Sequence, residues 1–355
     1  MPPTDRRIDA DTLTGFLAAV LTAAGARKPD ADCVAAHLAD ANLKGHDSHG
    51  AGLLPVYVHH IRKGLVDTEA SPATLTDTAV LLRVDGHGGW GAPAGFDLIE
   101  QAGQKAKAGG LAAATLGNVH HLGRIGAYGE RAAAAGLASI HFVSVGDHAP
   151  LVAPFRGSDA RFGTNPVCIA FPATANRPTF VLDMATSRIA LGKVRVAANK
   201  GIALAPGNLI DETGRPTTDP SGMAGFELKG ALTPMGRHKG YGLAFACEIL
   251  GGVLSGSGTI QPGRARRGGL QNGLFSILID PAAFGDPAWM EDEIEALADY
   301  VLASPPMDWD SPVLYPGDPE RAAEGKRRRE GIPMDDTTIA QLNKSAEIAG
   351  CPERL

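Results

Sequence analysis

An α/β fold is what this 355-residue chain predicts, and three observations predict it. Strand-type and helix-type runs alternate along the sequence rather than segregating into blocks. Hydrophobic residues make up 44% and charged residues 20%, which is the composition of a packed globular protein and not of a disordered one. Glycine (45) and proline (25) are abundant while aromatics stand at 5%, a mix suited to tight loops and close backbone approaches around a ligand. The length allows one large or two modest domains.

The elements read in order as follows. Residues 11–25 place Leu13, Phe16, Leu17, Val20, Leu21 and Ala24 at helical spacing, with Asp11 or Thr12 as the cap and Gly25 after the end. A second helix runs from about Asp30 to Lys44 and stops at Gly45, and a third lies near Leu53–Lys63. A strand at Val80–Val84 leads through a glycine loop to a helix over about 94–108, then to a strand at Leu111–Leu116. A glycine-rich loop (117–126) precedes an alanine-rich helix at Tyr128–Ala135 and the strand Ala138–Val145. Val167–Phe171 and Thr179–Asp183 are short β-type runs, and Gly201–Gly236 reads as a long irregular region. Helix returns at Tyr241–Leu254, strand at Leu274–Ile279 and helix near Met290–Leu302.

Charge and leader signals exclude several functions. The net charge is −6, and the one dense basic run, Lys326–Arg329, is flanked by Glu324 and Glu330, so it predicts a solvated helical face and no nucleic-acid partner. The first residues, MPPTDRRIDADT, lack an apolar core of the secretory type, and no run of about 18 apolar residues predicts a membrane span. Cys33, Cys168, Cys247 and Cys351 lack CxxC spacing and predict reduced thiols in a cytoplasmic protein.

Gly86-His87-Gly88-Gly89-Trp90-Gly91 has the spacing of a dinucleotide fingerprint between a strand and a helix. The fingerprint also requires an acidic residue at the end of the following strand, and here that strand ends in Gly117 and Asn118. Two bulky residues crowd the loop as well, so a plain glycine loop is the expectation.

Five segments can carry chemistry. Ser48-His49-Gly50 puts a hydroxyl and an imidazole at a helix start, where capping alone would also explain them. His120-His121-Leu122-Gly123-Arg124 lies between a strand and a helix, where an imidazole can exchange a proton near neutral pH. Alternation in an extended segment lets one of its two histidines face a given site and leaves the other structural. Gly163-Thr164-Asn165-Pro166 and Asp183-Met184-Ala185-Thr186-Ser187 flank strands and offer backbone N–H groups to phosphate or ribose, or form ordinary turns. Lys239, opening a helix with Gly240, opposes the helix dipole and marks an anion site or a solvent-facing lysine. His46 and His49 have a spacing that permits a metal, yet no ligand motif supports one, and none is expected.

Taken together, GHDSHG (45–50), NVHHLGRIG (118–126), FGTNP (162–166), LDMATS (182–187), PTTDP (216–220), HKGYGLA (238–244) and YPGD (315–318) resemble the malate/L-lactate dehydrogenase (type 2, ureidoglycolate/sulfolactate dehydrogenase-like) family over nearly the whole chain. Within it the hydroxycarboxylate dehydrogenase B subgroup is the most similar, down to SIHFVSV (139–145) and EILGG (248–252).

The resemblance implies a non-Rossmann α/β fold. Its cofactor domain, residues 116–255, would carry a mixed, largely antiparallel sheet. Residues 1–115 and 256–355 would form a mostly helical portion for substrate and dimerisation, with a homodimer as the working unit. It also implies hydride transfer between NAD or NADP and a 2-hydroxy or 2-oxo acid. His121 takes the acid/base role, Ser48 and His49 line the substrate, and Asp183 and Lys239 sit at the reacting end. The implied cofactor contacts are Ser144, His148, Gly163, Thr164, Asn165, Pro166, Asp183, Met184, Ala185, Thr186, Ser187, Lys239, Gly240, Pro316 and Gly317.

One departure stands out. Many family members carry an arginine four or five residues past the Ser-His pair, where this chain has Ala51-Gly52-Leu53-Leu54. Arg124 is then expected to hold the substrate carboxylate, with Gly52 and Leu53 forming a small apolar wall that admits bulky or aromatic side chains. The competing readings are reduction of cyclic imine acids, a metal-dependent hydrolase, and a non-catalytic NAD(P)-binding protein.

Overall fold

The computed structural model describes residues 6–199, 201–224, 228–263, 267–308 and 310–355. The leader reading above therefore falls partly on residues 1–5, and the irregular region partly on 225–227, outside the described residues. No helix among the described residues is long and apolar enough to cross a membrane.

The first third comprises β1 (Arg6–Ile8), α1 (Ala10–Ala23), α2 (Lys28–Leu43), α3 (Leu54–Arg62), β2 (Ala73–Asp77), β3 (Leu81–Asp85), α4 (Gly91–Gly109) and β4 (Leu111–Val119). The middle comprises α5 (Gly126–Ala134), β5 (Ala138–Gly146), β6 (Val167–Phe171), β7 (Phe180–Met184), α6 (Leu191–Asn199), β8 (Leu209–Ile210), β9 (Pro216–Thr217), β10 (Ala231–Leu232) and α7 (His238–Cys247). The last part comprises β11 (Gln271–Ile279), α8 (Pro287–Leu302), α9 (Asp318–Glu330), β12 (Ile332–Met334) and α10 (Asp336–Ala349).

Among the described residues seven strands form one mixed sheet in the order β2-β3-β4-β11-β5-β6-β7. Its pairs are antiparallel except β3 with β4, the two strands that α4 connects. The single crossover helix explains the exception, since parallel neighbours need one. Helices α4 and α5 pack on this sheet through Leu98, Ile99, Ala102, Tyr128 and Ala132, opposite Leu116, Val143, Leu274 and Leu278. A second core joins both ends of the chain: Leu13, Leu17, Leu21, Leu38, Tyr57, Ile332, Ile339 and Leu342 pack together, bringing α1, α2, α3, β12 and α10 into one helical layer. The central sheet draws strands from both sides of residue 256, because β11 inserts between β4 and β5.

Three readings need correction. The α1 cap is Asp9, whose side chain accepts from Thr12 N–H, rather than Asp11 or Thr12. The region 201–236 holds a small sheet of order β10-β8-β9, whose two-residue strands are too short to show periodicity. The helix expected over 241–254 is α7 followed by a π-helical stretch, Glu248–Leu254. That widening goes with Gly251 and Gly252, which lie so close to β5, β11 and the Gly258 loop that a Cβ on either would collide with backbone.

Candidate active site

The site is built on the loop that leaves β4. Asn118 has φ +51 and turns the chain, so that His120 and His121 project toward α3. Gly91, at the start of α4, lies so close beneath that a Cβ would overlap the carbonyls of His120 and His121. The glycine loop 86–91 is therefore spent on the protein's own backbone: Gly88 N–H donates to Asn118 O (2.6 Å) and His120 N–H to Gly89 O (2.8 Å). This is a loop packed by its own chain, as the sequence argued.

Helix α3 holds both histidines from one face. Tyr57 Oη lies 2.8 Å from His121 Nδ1, and His60 Nδ1 lies 2.8 Å from His120 Nε2. Positions i and i+3 of a helix share a face, so one helix reads two consecutive residues of the loop. His120 is 2% exposed and boxed by Tyr57, Trp90 and His60, and burial pulls its pKa down to about 3.

His121 is half-buried, and its ring stacks on His49 with centroids 5.8 Å apart and 15° between planes. Burial, then the charges that His49, His120, His37 and His148 can carry, keep His121 well below the ordinary imidazole pKa. His49 is drawn down to about 4, first by burial and then by His46 and Arg124. Both rings are consequently neutral at pH 7. Ser48 Oγ sits 3.1 Å from His49 Nδ1, which places Ser48, His49 and His121 in one group.

The rest of the loop is pinned from three elements. Leu122 N–H donates to Asn272 Oδ1 (2.8 Å) at the irregular start of β11, and its carbonyl accepts from Tyr128 Oη (2.6 Å). Gly123 has φ +70, and a Cβ there would overlap the ring of His37 from α2, so glycine is required on two counts. His37 Nε2 lies 3.0 Å from Leu122 O and 3.1 Å from Arg124 N, and one ring nitrogen serves one of them at a time. The Ser48-His49 turn is held likewise: Asn42 Oδ1 accepts from Ala51 N–H (2.7 Å), and Arg327 on α9 binds Asp47 through both carboxylate oxygens. His46 Nε2 pairs with Glu320 at 3.0 Å.

Arg124 does not take the place expected of it. It is 1% exposed, with Nη2 bound to Glu130 (2.6 Å) and Asp40 (3.1 Å) and with Lys44 bridging the same two carboxylates. Its Nη2 is taken up by this buried charge cluster, while Nε and Nη1 have no hydrogen-bond partner among the described residues. Asp183 joins that cluster at the end of β7: its Oδ2 accepts from Gly126 N–H at the start of α5 (2.8 Å) and lies 3.9 Å from Arg124 Nη1. Burial raises the Asp183 pKa, against the pull of Arg124.

The segments expected to contact a cofactor meet in a second group. Thr186 N–H and Oγ both donate to Thr164 O, Thr186 O accepts from Met235 N–H, and Gly240 N–H returns to Met235 O. Residues 163–166, 184–187 and 235–240 are thus stitched together. Asn165 is fully buried, donates to Glu248 Oε1 (2.8 Å) and Ala244 O (3.1 Å), and leaves its Oδ1 without a partner among the described residues. Lys239 is exposed on the rim. Ser144 and Asn118 line a cleft of about 300 Å³ with Gly146, Asp147, Thr259 and Gln271, at the end of the sheet from which the His loop departs. His148 is half-buried beyond β5. Gly52 is exposed, and a Cβ there would meet nothing, while Leu53 leans on the helical core. Pro316 and Gly317 lie against the outer strand β7, where Pro316 O accepts from Val181 N–H (3.4 Å).

Sequence reasoning missed Tyr57, His60, His37 and Asn272. Tyr57 and His60 had a signal, a polar pair at i and i+3 on a helix that is otherwise apolar on that side. His37 and Asn272 had none, since each reaches the loop across a long separation in sequence.

The family model described as malate/L-lactate dehydrogenase matches residues 8–343. Hydroxycarboxylate dehydrogenase B of Escherichia coli (strain K12) is 43% identical over 349 residues, covering 98% of this chain and 95% of that protein. A solved malate/lactate dehydrogenase structure from E. coli superposes with a TM-score of 0.93 at 42% identity, covering 98% of this chain and 96% of that one. Delta1-piperideine-2-carboxylate reductase from Pseudomonas syringae pvar. tomato superposes with a TM-score of 0.81 at 27% identity, covering 96% of this chain and 100% of that one.

Proposed function

The chain belongs to the malate/L-lactate dehydrogenase family and is a 2-hydroxy acid dehydrogenase, and from that premise we propose that it moves a hydride between NAD or NADP and C2 of a small 2-hydroxy or 2-oxo acid, with His121 exchanging the hydroxyl proton. One observation carries the reading. His121 has Nδ1 engaged by Tyr57 at 2.8 Å, which leaves Nε2 as the nitrogen available to a substrate.

A nicotinamide cofactor suits the residues present. The cleft beside the His loop is lined by the amides of Asn118 and Gln271, the hydroxyls of Ser144 and Thr259 and the carboxylate of Asp147. Amides and hydroxyls are partners for a carboxamide and a ribose. The stitched segments 163–166 and 184–187 with Lys239 and Gly240 would hold the anionic part, and Pro316 and Gly317 the outer edge. When bound, the nicotinamide accepts or gives the hydride at its C4.

In oxidation, His121 Nε2 takes the substrate hydroxyl proton; in reduction it returns that proton to the carbonyl oxygen. The stacked His49 and the Ser48 hydroxyl wall the substrate side and exclude water. Arg124 acts through the loop it anchors. The open space at Gly52 beside Leu53 favours a bulky or aromatic 2-substituent. Residues 116–255 form most of the cofactor-holding part of this proposal, completed by Thr259, Gln271, Pro316 and Gly317, and 1–115 with the rest of 256–355 the substrate and dimerisation part. A cytoplasmic homodimer is its setting, in keeping with four unpaired cysteines and with the exposed stripe Phe245, Ile249 and Val253.

A panel of 2-oxo acids of increasing side-chain size, run with NADH and NADPH in parallel, tests the reading. Cofactor oxidation with at least one 2-oxo acid, strongest for the larger side chains, is expected, and none across the panel overturns it. Cyclic imine acids belong in the same panel, because the P. syringae reductase shares this fold; turnover of imines alone would select that second reading.

A further inference from the structure

Resting on the assignment of proton transfer to His121, we propose that Tyr57 is the positioning residue of that step: its Oη accepts the Nδ1–H of His121 and fixes the tautomer whose bare Nε2 receives the substrate proton. The geometry carries this in three parts.

First, Tyr57 Oη is 2.8 Å from Nδ1, and Tyr57 is itself 2% exposed in the helical core, so it cannot swing away to water. Its ring is wedged edge-on against His120 (4.9 Å) and tilted against Trp90 (6.0 Å), which fixes where the oxygen points. The next turn of α3 repeats the arrangement, with His60 reading His120, so the helix sets both histidines as a rigid pair.

Second, Tyr57 is a neutral partner. Burial raises its phenol pKa, so it remains Tyr–OH while His121 cycles. A phenol oxygen can accept from Nδ1–H in both the neutral and the protonated imidazole, so the same bond persists as the proton arrives at Nε2 and leaves it. The balance is simple: the O–H bond of the substrate breaks, an Nε2–H bond forms, and the hydride leaves C2 for the cofactor.

Third, the other groups that face His121 are histidines: His49 from the Ser48-His49 turn, His120 on its own loop, His37 from α2 and His148 beyond β5. No carboxylate is bonded to His121 among the described residues, and the nearby acids Asp40, Glu130 and Asp183 are bound within the Arg124 cluster. With a neutral orienter and no bonded carboxylate among the described residues, no anion holds the proton on His121, and the base releases it readily. Orientation, rather than charge, is what Tyr57 contributes.

The test uses the whole enzyme. Nitrogen-15 histidine spectra of the wild type, with the His121 signals assigned by their loss in His121→Asn, are expected to show the Nδ1–H tautomer; an Nε2–H tautomer overturns the proposal without any variant. In Tyr57→Phe, kcat/KM for oxidation is expected to fall about 10- to 100-fold, the scale of a buried donor left unpaired. Because the lost bond favoured protonated His121, the acid limb of the kcat/KM profile should move down by about one pH unit. A fall in thermal stability with an unmoved limb and unchanged kcat/KM overturns the proposal while His121 remains the base. Near-normal turnover by His121→Asn would instead remove the reading beneath it.

Discussion

His121 and Arg124 stand three residues apart on one loop, and their surroundings are opposite. Around His121 the neighbours are neutral at pH 7: the phenol of Tyr57 and the imidazoles of His37, His49 and His120. Around Arg124 they are charged: Asp40, Glu130, Asp183 and Lys44. The difference teaches how the loop divides its work. A proton-transfer group needs an accessible pKa and one free nitrogen, which a charged partner would disturb. An anchor needs strong directional bonds, and the buried Nη2 of Arg124, shared between Asp40 and Glu130, supplies them. Gly123 lies between the two and makes the turn from one environment to the other.

That contrast can be broken most severely at its charged end. Arg124→Ala leaves Asp40 and Glu130 with Lys44 alone and Asp183 with a backbone N–H, and it is expected to cost about 3–5 kcal/mol. Arg131→Ala, which removes a half-exposed pair with Glu100, should cost about 0–1 kcal/mol. Denaturant titration of the two variants side by side checks the ranking. If Arg124→Ala kept full stability and lost only substrate affinity, Arg124 would be a ligand group after all.

The neutral end can be stressed by acid. Burial holds His37 and His49 at about 4 and His120 and His141 at about 3, all below the unfolded imidazole value of about 6.5. Between those limits the unfolded chain binds protons that the native one refuses, so stability rises with pH and is lost as pH falls from 6.5 toward 4. Asp40, held low by Arg124 and Lys44 against its burial, adds to the same trend at the acid end, while Asp183 and Glu248, raised by burial, oppose it. The four histidines are expected to dominate, and a melting temperature flat between pH 6.5 and 4 would contradict the neutral cluster. Smaller than either is the Tyr57→Phe shift of the pH limb, which probes the one polar bond that joins His121 to the helical core.

Much of this was legible beforehand. The helices that bury a full apolar stripe, such as α1 and α2, and the strands of the central sheet follow from periodicity. The glycine loop at 86–91 stands between β3 and α4 as its place in the sequence suggests. The motifs named Ser48, His49 and His121, and the structure groups them. What resisted was everything decided by burial. Arg124 carries the same letter whether it faces a substrate or Asp40, and only packing distinguishes the two. Tyr57 lies on an ordinary amphipathic helix, and its bond to His121 spans 64 positions. The two-residue strands of the small sheet are made by tertiary pairing with no local period to announce them.

The account turns on His121 as the proton-transfer group, and one variant addresses it directly. In His121→Asn, with nicotinamide binding followed by fluorescence and turnover followed by cofactor absorbance, cofactor affinity should persist while kcat falls about 10²- to 10⁴-fold. Turnover within a few-fold of the wild type, with the cofactor still bound, would contradict it.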